Sequence, residues 1–278
     1  MSEREEQASP QDLVSLEGRA AVLTGAATGI GLAAARRFAQ AGASVLLADL
    51  DAERASREAA GLSEELGREI HSMRVDVSDE GSVTALADRA VEEFGRLDVW
   101  ANFAAIFPMT PETLTDVLDF PLEEWERELA VNLTGSFICS RAAARRMVEA
   151  GNGGVIINTS TTVVDRYPGH PGMVAYASSK GGIEQLTMML AAELGPRGIR
   201  VLAIKPTVIE TPTMDEHMGS VAEVTGAGEA FGELREIMPL RRFGTADEVA
   251  RVFLFAASDQ AAFLTGCVLP ADGGELTI

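Results

Sequence analysis

"AAVLTGAATGIGLAAARRFAQAG", residues 20–42, sets an unbroken apolar run against a glycine-rich turn and then a helical pattern. Residues 20–25 read as a buried strand, and 30–42 as a helix with apolar positions at helical spacing. Between them, in "TGAATGIG" (24–31), Gly25, Gly29 and Gly31 allow a tight turn and an open helix N-terminus. The N–H groups and dipole at such an end favour an anion, and a pyrophosphate fits that description. The spacing is GxxxGxG rather than GxGxxG, and it gains weight from lying between a strand and a helix.

The same alternation continues along the chain. Strands are expected at 44–50, 70–77, 97–103, 153–160, 199–206 and within 266–274, with helices at 51–67, about 79–95, 121–149, 174–195 and 245–258. Continuous apolar strands alternating with helices predict a doubly wound α/β fold: one parallel sheet of about seven strands, with helices on both faces. The ligand crevice of such a sheet lies beyond the carboxyl ends of its strands. Residues 1–16 are polar and acidic, without the apolar core of a secretory signal, and most of them are expected to form a disordered or loosely docked tail. Residues 17–278 then form a single domain, in which 207–243, rich in Gly and Met, is expected to act as a mobile lid.

Net charge is −19 with a pI near 4.5, which argues against nucleic acid or an anionic membrane as partner. No apolar run approaches the ~18 residues needed to cross a bilayer, so a soluble, cytoplasmic protein is expected. Cys139 and Cys267 stand among apolar neighbours with no CxxC partner and read as buried thiols. His71, His170 and His217 are far apart, and no metal site is expected.

Two further places carry chemistry. Asp49 ends the second strand, 18 residues after Gly31, where a carboxylate can accept hydrogen bonds from an adenosine ribose and would repel a 2′-phosphate. No Arg or Lys lies within 24–31 to attract that phosphate, so the expected cofactor is NAD rather than NADP. Asp51 reads as a helix cap, and Asp76 and Val77 could meet the adenine edge. In "AYASSKGG" (175–182), Tyr176 and Lys180 are four residues apart, on one helical face. An adjacent ammonium and an oxidised nicotinamide ring both favour the phenolate, and lowering a tyrosine from about 10 to about 7 would make Tyr176 a working acid and base. Lys180 and Lys205 are the only lysines in the chain.

Taken in order, "TGAATGIG", Asp49, "VNLTGSF" (131–137), "YASSK" and the stretch from Phe243 to Gly274 resemble a classical short-chain dehydrogenase/reductase, from about residue 18 to the C-terminus. The resemblance implies a Rossmann-like, NAD-binding oxidoreductase that interconverts a secondary alcohol and a ketone, assembled as a homotetramer. It implies that Asn132 holds a water beside Lys180, and that Lys180 also binds the nicotinamide ribose. Ile209 and Thr211 match positions at the carboxamide, and Thr28, Ile30, Leu50, Asn102, Ala104 and Pro206 complete the nucleotide contacts. The family's catalytic serine falls on Thr161 of "NTSTT" (158–162), with Ser160 as the alternative. Further departures are Phe103 and Ala105 in "NFAA" (102–105) and Thr207 after Pro206.

Phe107, Met109, Val164, Met173, Met214, Met218 and Phe231, with Arg166, Tyr167 and His170, are expected to line a largely apolar substrate space. Two other functions fit the same motifs: a 3-oxoacyl-thioester reductase, or a nucleotide-binding regulatory protein without turnover.

Overall fold

The side-chain alternation along each strand decides how the sheet is covered. Ala21, Leu23, Val45, Leu47, Val99, Ala101, Val155, Ile157, Leu202 and Ile204 belong to one buried cluster. The intervening Val22, Leu46, Ala48, Trp100, Ile156 and Val201 belong to a second. Successive strand residues point to opposite faces, so two clusters mean two covered faces. A computed structural model describes residues 8–107, 113–166, 171–211 and 227–278, the side chains of 227–231 excepted.

The sheet is built from β1 (Ala20–Thr24), β2 (Ser44–Asp49), β3 (Ile70–Arg74), β4 (Val99–Asn102), β5 (Gly154–Thr159), β6 (Ile199–Pro206) and β9 (Val268–Ala271). Their order is β3-β2-β1-β4-β5-β6-β9, and every pairing is parallel. Leu23 stands opposite Leu47 on one side of β1 and opposite Ala101 on the other. The winding reverses at β1, so the glycine turn leaves that strand at the switch point, where such sheets bind ligands. The expected doubly wound fold is the observed one.

The helices are α1 (Pro10–Val14), α2 (Gly29–Gln40), α3 (Ala52–Leu66), α4 (Glu80–Phe94), α5 (Leu122–Leu129), α6 (Gly135–Ala150), α7 (Val174–Leu194), α8 (Ala227–Ile237) and α9 (Ala246–Ala257). Helices α2 and α9 pack together on the first cluster, around Phe38 and Phe253. Helices α4 and α6 cover the second. Among the described residues no helix is long and apolar enough to cross a membrane.

Two expectations change in detail. Residues 1–7 lie outside the described residues, and the part of the expected disordered or loosely docked tail that follows them is ordered. Ser9 and Asp12 form a reciprocal cap on α1, and Leu16 is fully buried with its N–H on the Ala41 carbonyl at 2.8 Å. One apolar side chain docked in the core ties down a polar segment.

The single helix expected over 121–149 is two helices joined by a π turn at Ala130–Thr134. The inserted residue widens the ladder there and turns Asn132 inward, where it is fully buried.

Part of the span 207–243 carries regular structure. Ile209–Glu210 (β7) pairs with Gly244–Thr245 (β8), and α8 crosses it, while 212–226 lies outside the described residues.

Candidate active site

The glycine turn is held by contact as well as conformation. Gly25 has φ +66°, and a Cβ built there would lie 2.5 Å from the Ala104 N. One at Gly31 would lie 2.4 Å from the Gly25 carbonyl oxygen. Those two glycines let β1, α2 and the end of β4 close on one another. Gly29 differs: its nearest neighbour is Thr211 Cγ2 at 3.7 Å, an ordinary contact. Thr28 precedes α2 without a side-chain cap bond, so its hydroxyl does not occupy the first N–H groups of the helix, beside Ile30. The turn and the open helix end form a cradle with Thr211 as its far wall, of a kind that can take a phosphate group.

Asp49 lies beside that cradle. Its Oδ2 accepts from the Ala27 N–H at 3.0 Å and its Oδ1 from the Asp51 N–H at 3.1 Å, next to the exposed Leu50. Each oxygen keeps a lone pair for a further donor. Asp51 caps α3 through the Arg54 N–H. Asp76 accepts from the Ser78 hydroxyl and N–H, which hold its carboxyl below the usual range, and Val77 is buried against Gly135.

On the other side of β1, Tyr176 and Lys180 rise from the first turns of α7, as their spacing requires. The Tyr176 hydroxyl shares a hydrogen bond with the Thr161 hydroxyl. Ser160 is turned away and donates to Glu184, which also meets Lys205 at 2.9 Å. Of the two hydroxyls open in the sequence, the structure therefore places Thr161 at the phenol. The reason is strand geometry, since neighbouring residues face opposite ways.

Lys180 is buried and donates to the Thr159 carbonyl at 2.9 Å, with Nζ 5.7 Å from the Tyr176 ring centroid. Asn132 is locked by Ile106, accepting from its N–H at 2.7 Å and donating to its carbonyl at 3.0 Å. It also donates to Ser179 Oγ at 3.2 Å, and Ser179 donates to the Tyr176 carbonyl at 2.7 Å. Ser179 was missed in the sequence, although it stands inside "YASSK". Its role is visible only once Asn132 faces it.

The chain's own groups act on this pair in opposite directions. Burial pushes Tyr176 up to about 12; the Thr161 hydrogen bond opposes that rise and the charge of Glu128 adds to it. Burial also pushes Lys180 down to about 8. Among the chain's own groups desolvation outweighs what lowers the phenol, and the pull of an oxidised nicotinamide, the other source of the expected lowering, would act on top of it.

Several other residues find different work. Asn102, expected at the nucleotide, spends its side chain in the core. It accepts from Trp100 Nε1 at 2.8 Å and donates to Asn158 at 2.8 Å and Ser140 at 3.2 Å. Phe103 packs on Phe253 with ring centroids 4.4 Å apart, so this departure fills the core under α9. Thr207 Oγ1 is buried without a hydrogen-bond partner, which leaves that departure without a structural reason. Pro206 ends β6 opposite Ala271, and Ile209 is buried in the short β7.

Of the expected substrate wall, Phe107 is 41% exposed and meets Tyr176 edge-on, with ring centroids 4.7 Å apart. Val164 faces Gly181, Met173 is buried, and Arg166 pairs with Glu275 at 3.7 Å. Met109, Tyr167, His170, Met214, Met218 and the side chain of Phe231 lie outside the described residues. Cys139 is buried and unpaired, and burial pushes its thiol up. His71, read from sequence as lacking metal-ligand neighbours, has Glu69 and Glu93 within 4.8 Å, on an exposed face where Glu93 also pairs with Arg89.

A family model described as enoyl-(acyl carrier protein) reductase matches residues 25–275. The chain is 39% identical to the D-threitol dehydrogenase of Mycolicibacterium smegmatis, over 93% of each chain. It is 37% identical to the 3-oxoacyl-(acyl-carrier-protein) reductase of Thermotoga maritima, over 93% of this chain and 98% of that one. An NAD+-bound xylitol dehydrogenase superposes with a TM-score of 0.85 at 32% identity, covering 93% of this chain and 99% of that one.

Proposed function

Because this chain belongs to the short-chain dehydrogenase/reductase family and is an oxidoreductase of that family, we propose that it uses NAD to interconvert a secondary alcohol and a ketone of a largely apolar small molecule. One observation carries the reading. Tyr176 meets Thr161, Lys180 and the Asn132–Ser179 chain at the carboxyl edge of the sheet, beside the glycine cradle. Such a cradle and carboxylate fit a dinucleotide: Gly25, Thr28, Gly29, Ile30 and Gly31 would hold its pyrophosphate and Asp49 its ribose. The exposed edge of Phe107 beside Tyr176 supports an apolar substrate.

The bound cofactor supplies or accepts the hydride. The chain's own residues manage the proton. In ketone reduction Tyr176 gives its hydroxyl proton to the carbonyl oxygen, while Thr161 donates a hydrogen bond to the same oxygen. Lys180 keeps a positive charge beneath the phenol, and Asn132 and Ser179 hold the first turn of α7 in place. Oxidation runs these steps backwards and starts from the phenolate.

The pH dependence follows from these signs. Ketone reduction should decline above about pH 8 as Lys180 loses its proton. Alcohol oxidation should climb with pH, because it needs the base form of a phenol pushed up to about 12. Rate–pH profiles in both directions check this, and a common slope would contradict the assignment.

Asp49→Ser should lower the preference for NAD over NADP by roughly tenfold or more, since a carboxylate repels the 2′-phosphate. The ratio of kcat/KM values for the two cofactors measures it, and an unchanged ratio removes Asp49 from the role. The substrate class is tested with a panel of alicyclic, aromatic, polyol and acyl-thioester compounds. A 3-oxoacyl-thioester reductase is the second reading, favoured by the Thermotoga maritima relative. An acidic carrier would meet a chain of net charge −19, which weighs against it. Exposed Phe137 on α6 and Met188 and Met189 on α7 support assembly into a tetramer, which light scattering would test.

A further inference from the structure

Glu128 is the buried ionisable group that the proposed chemistry leaves unused. It lies in the last turn of α5 and is 0% exposed, and neither carboxyl oxygen has a hydrogen-bond partner. An unpartnered carboxylate in a protein interior costs several kcal/mol, so the neutral acid is the favoured form. Burial accordingly pushes the Glu128 carboxyl up to about 7.

Its position joins it to the proton-handling pair. Glu128 is one turn before Asn132, and residues at that spacing share a helical face. Asn132 reaches Ser179, and Ser179 reaches the Tyr176 carbonyl. The elements packed against α5 are the π turn and α7. The π turn, Ala130–Thr134, carries no titratable side chain.

On α7, Tyr176 feels the charge of Glu128, Lys180 is held by the Thr159 carbonyl, and Glu184 is turned to Ser160 and Lys205. On α5 itself, Arg127 is paired with Glu124 at 2.6 Å, which leaves its cation partly neutralised.

We propose that Glu128 is a positioning residue for proton transfer: its ionisation places a buried, unpartnered negative charge between α5 and the α7 helix that carries Tyr176, and raises the work of forming the phenolate. The proposal rests on the reading of Tyr176 as the acid and base of the site. Two negative charges in one enclosed region oppose each other, so an ionised Glu128 raises the work of forming the phenolate. Below about pH 7 the carboxyl is neutral and that opposition disappears. The carboxyl therefore tunes the phenol without touching the substrate oxygen.

The chain has two tyrosines, Tyr167 and Tyr176, which makes a direct test possible. In Tyr167→Phe protein grown with 3-fluorotyrosine, the one fluorine reports on residue 176. Its resonance should show an inflection near pH 7, from Glu128, and a second at higher pH, from the phenol. Glu128→Gln should abolish the first and move the second down by about one unit, a tenfold gain in phenolate at fixed pH. The rising limb of alcohol oxidation should move the same way.

Melting gives an independent sign check. A carboxyl whose folded value lies above its usual 4.5 contributes stability that is lost as pH rises through about 7. The melting temperature of the wild type should therefore fall over that interval relative to Glu128→Gln. Glu128→Leu serves if the amide does not fold. An inflection near pH 7 that persists in Glu128→Gln, or a phenol midpoint that does not move, overturns the proposal. If the resonance behaves as expected and no substrate turns over, the dehydrogenase reading fails and the coupling between the two groups stands.

Discussion

Tyr176→Phe should lower kcat by about 10²–10⁴ in both directions and leave nucleotide affinity close to that of the wild type. The substitution removes one oxygen atom. The ring remains, with its edge-on contact to Phe107 at 4.7 Å between centroids, and so does the carbonyl that accepts from Ser179. The proton donor is lost, along with the hydrogen bond to Thr161. Water can replace the phenol only without its orientation, which is why the effect falls on kcat rather than on binding. Steady-state kinetics with a nucleotide titration check it. Retention of more than about a tenth of the wild-type kcat would show that the proton travels by another route, and Lys180 would then be the group to examine.

Gly25→Ala should destabilise the fold by about 2–6 kcal/mol, since backbone strain and overpacking each cost about 1–3 kcal/mol. Gly25 combines φ +66° with a Cβ position 2.5 Å from the Ala104 N and 2.6 Å from its Cα. Those are backbone atoms at the end of β4, and they cannot swing aside as a side chain could. Relief requires separating β1 from β4, which would also open the phosphate cradle.

Gly18→Ala is the control, because Gly18 has φ +72° and nothing within 4 Å of its Cβ position. It should cost only the strain, about 1–2 kcal/mol. At about 2–4 °C per kcal/mol for a chain of this order of size, the two melting temperatures should be clearly separated. Equal losses in the two variants would mean that conformation, not the approach of Ala104, makes Gly25 necessary.

The outline of the fold was legible because strand and helix periodicities are local. "AAVLTG" and "SVLLADL" became β1 and β2 with boundaries shifted by a residue, and their pairing follows from right-handed crossovers. The glycine turn and the Tyr176–Lys180 spacing are local in the same sense. The π turn was not legible, since "LEEWERELAVNLTGSFICS" (122–140) reads as unbroken helix. What holds Asn132 inward, once the π turn has turned it, is its pair of bonds to Ile106, 26 residues earlier in the chain. Leu16 escaped for a related reason: one apolar residue in an acidic segment has no period, yet one is enough to dock it.

The sequence by itself determined the order of elements, the family, and which residues stand near the carboxyl ends of the strands, because these depend on neighbours a few positions apart. Only the tertiary structure decided what those residues do with their atoms. It set Thr161 rather than Ser160 at Tyr176, drew Asn102 into a network with Trp100, Asn158 and Ser140, and buried Glu128 without a partner. It also set burial against the ammonium at Tyr176, where the chain's own groups push the phenol up to about 12. Burial and charge at a point sum over everything packed around it, and in this site the contributors come from β4, β5, α5, the π turn and α7, which meet only when the chain has folded.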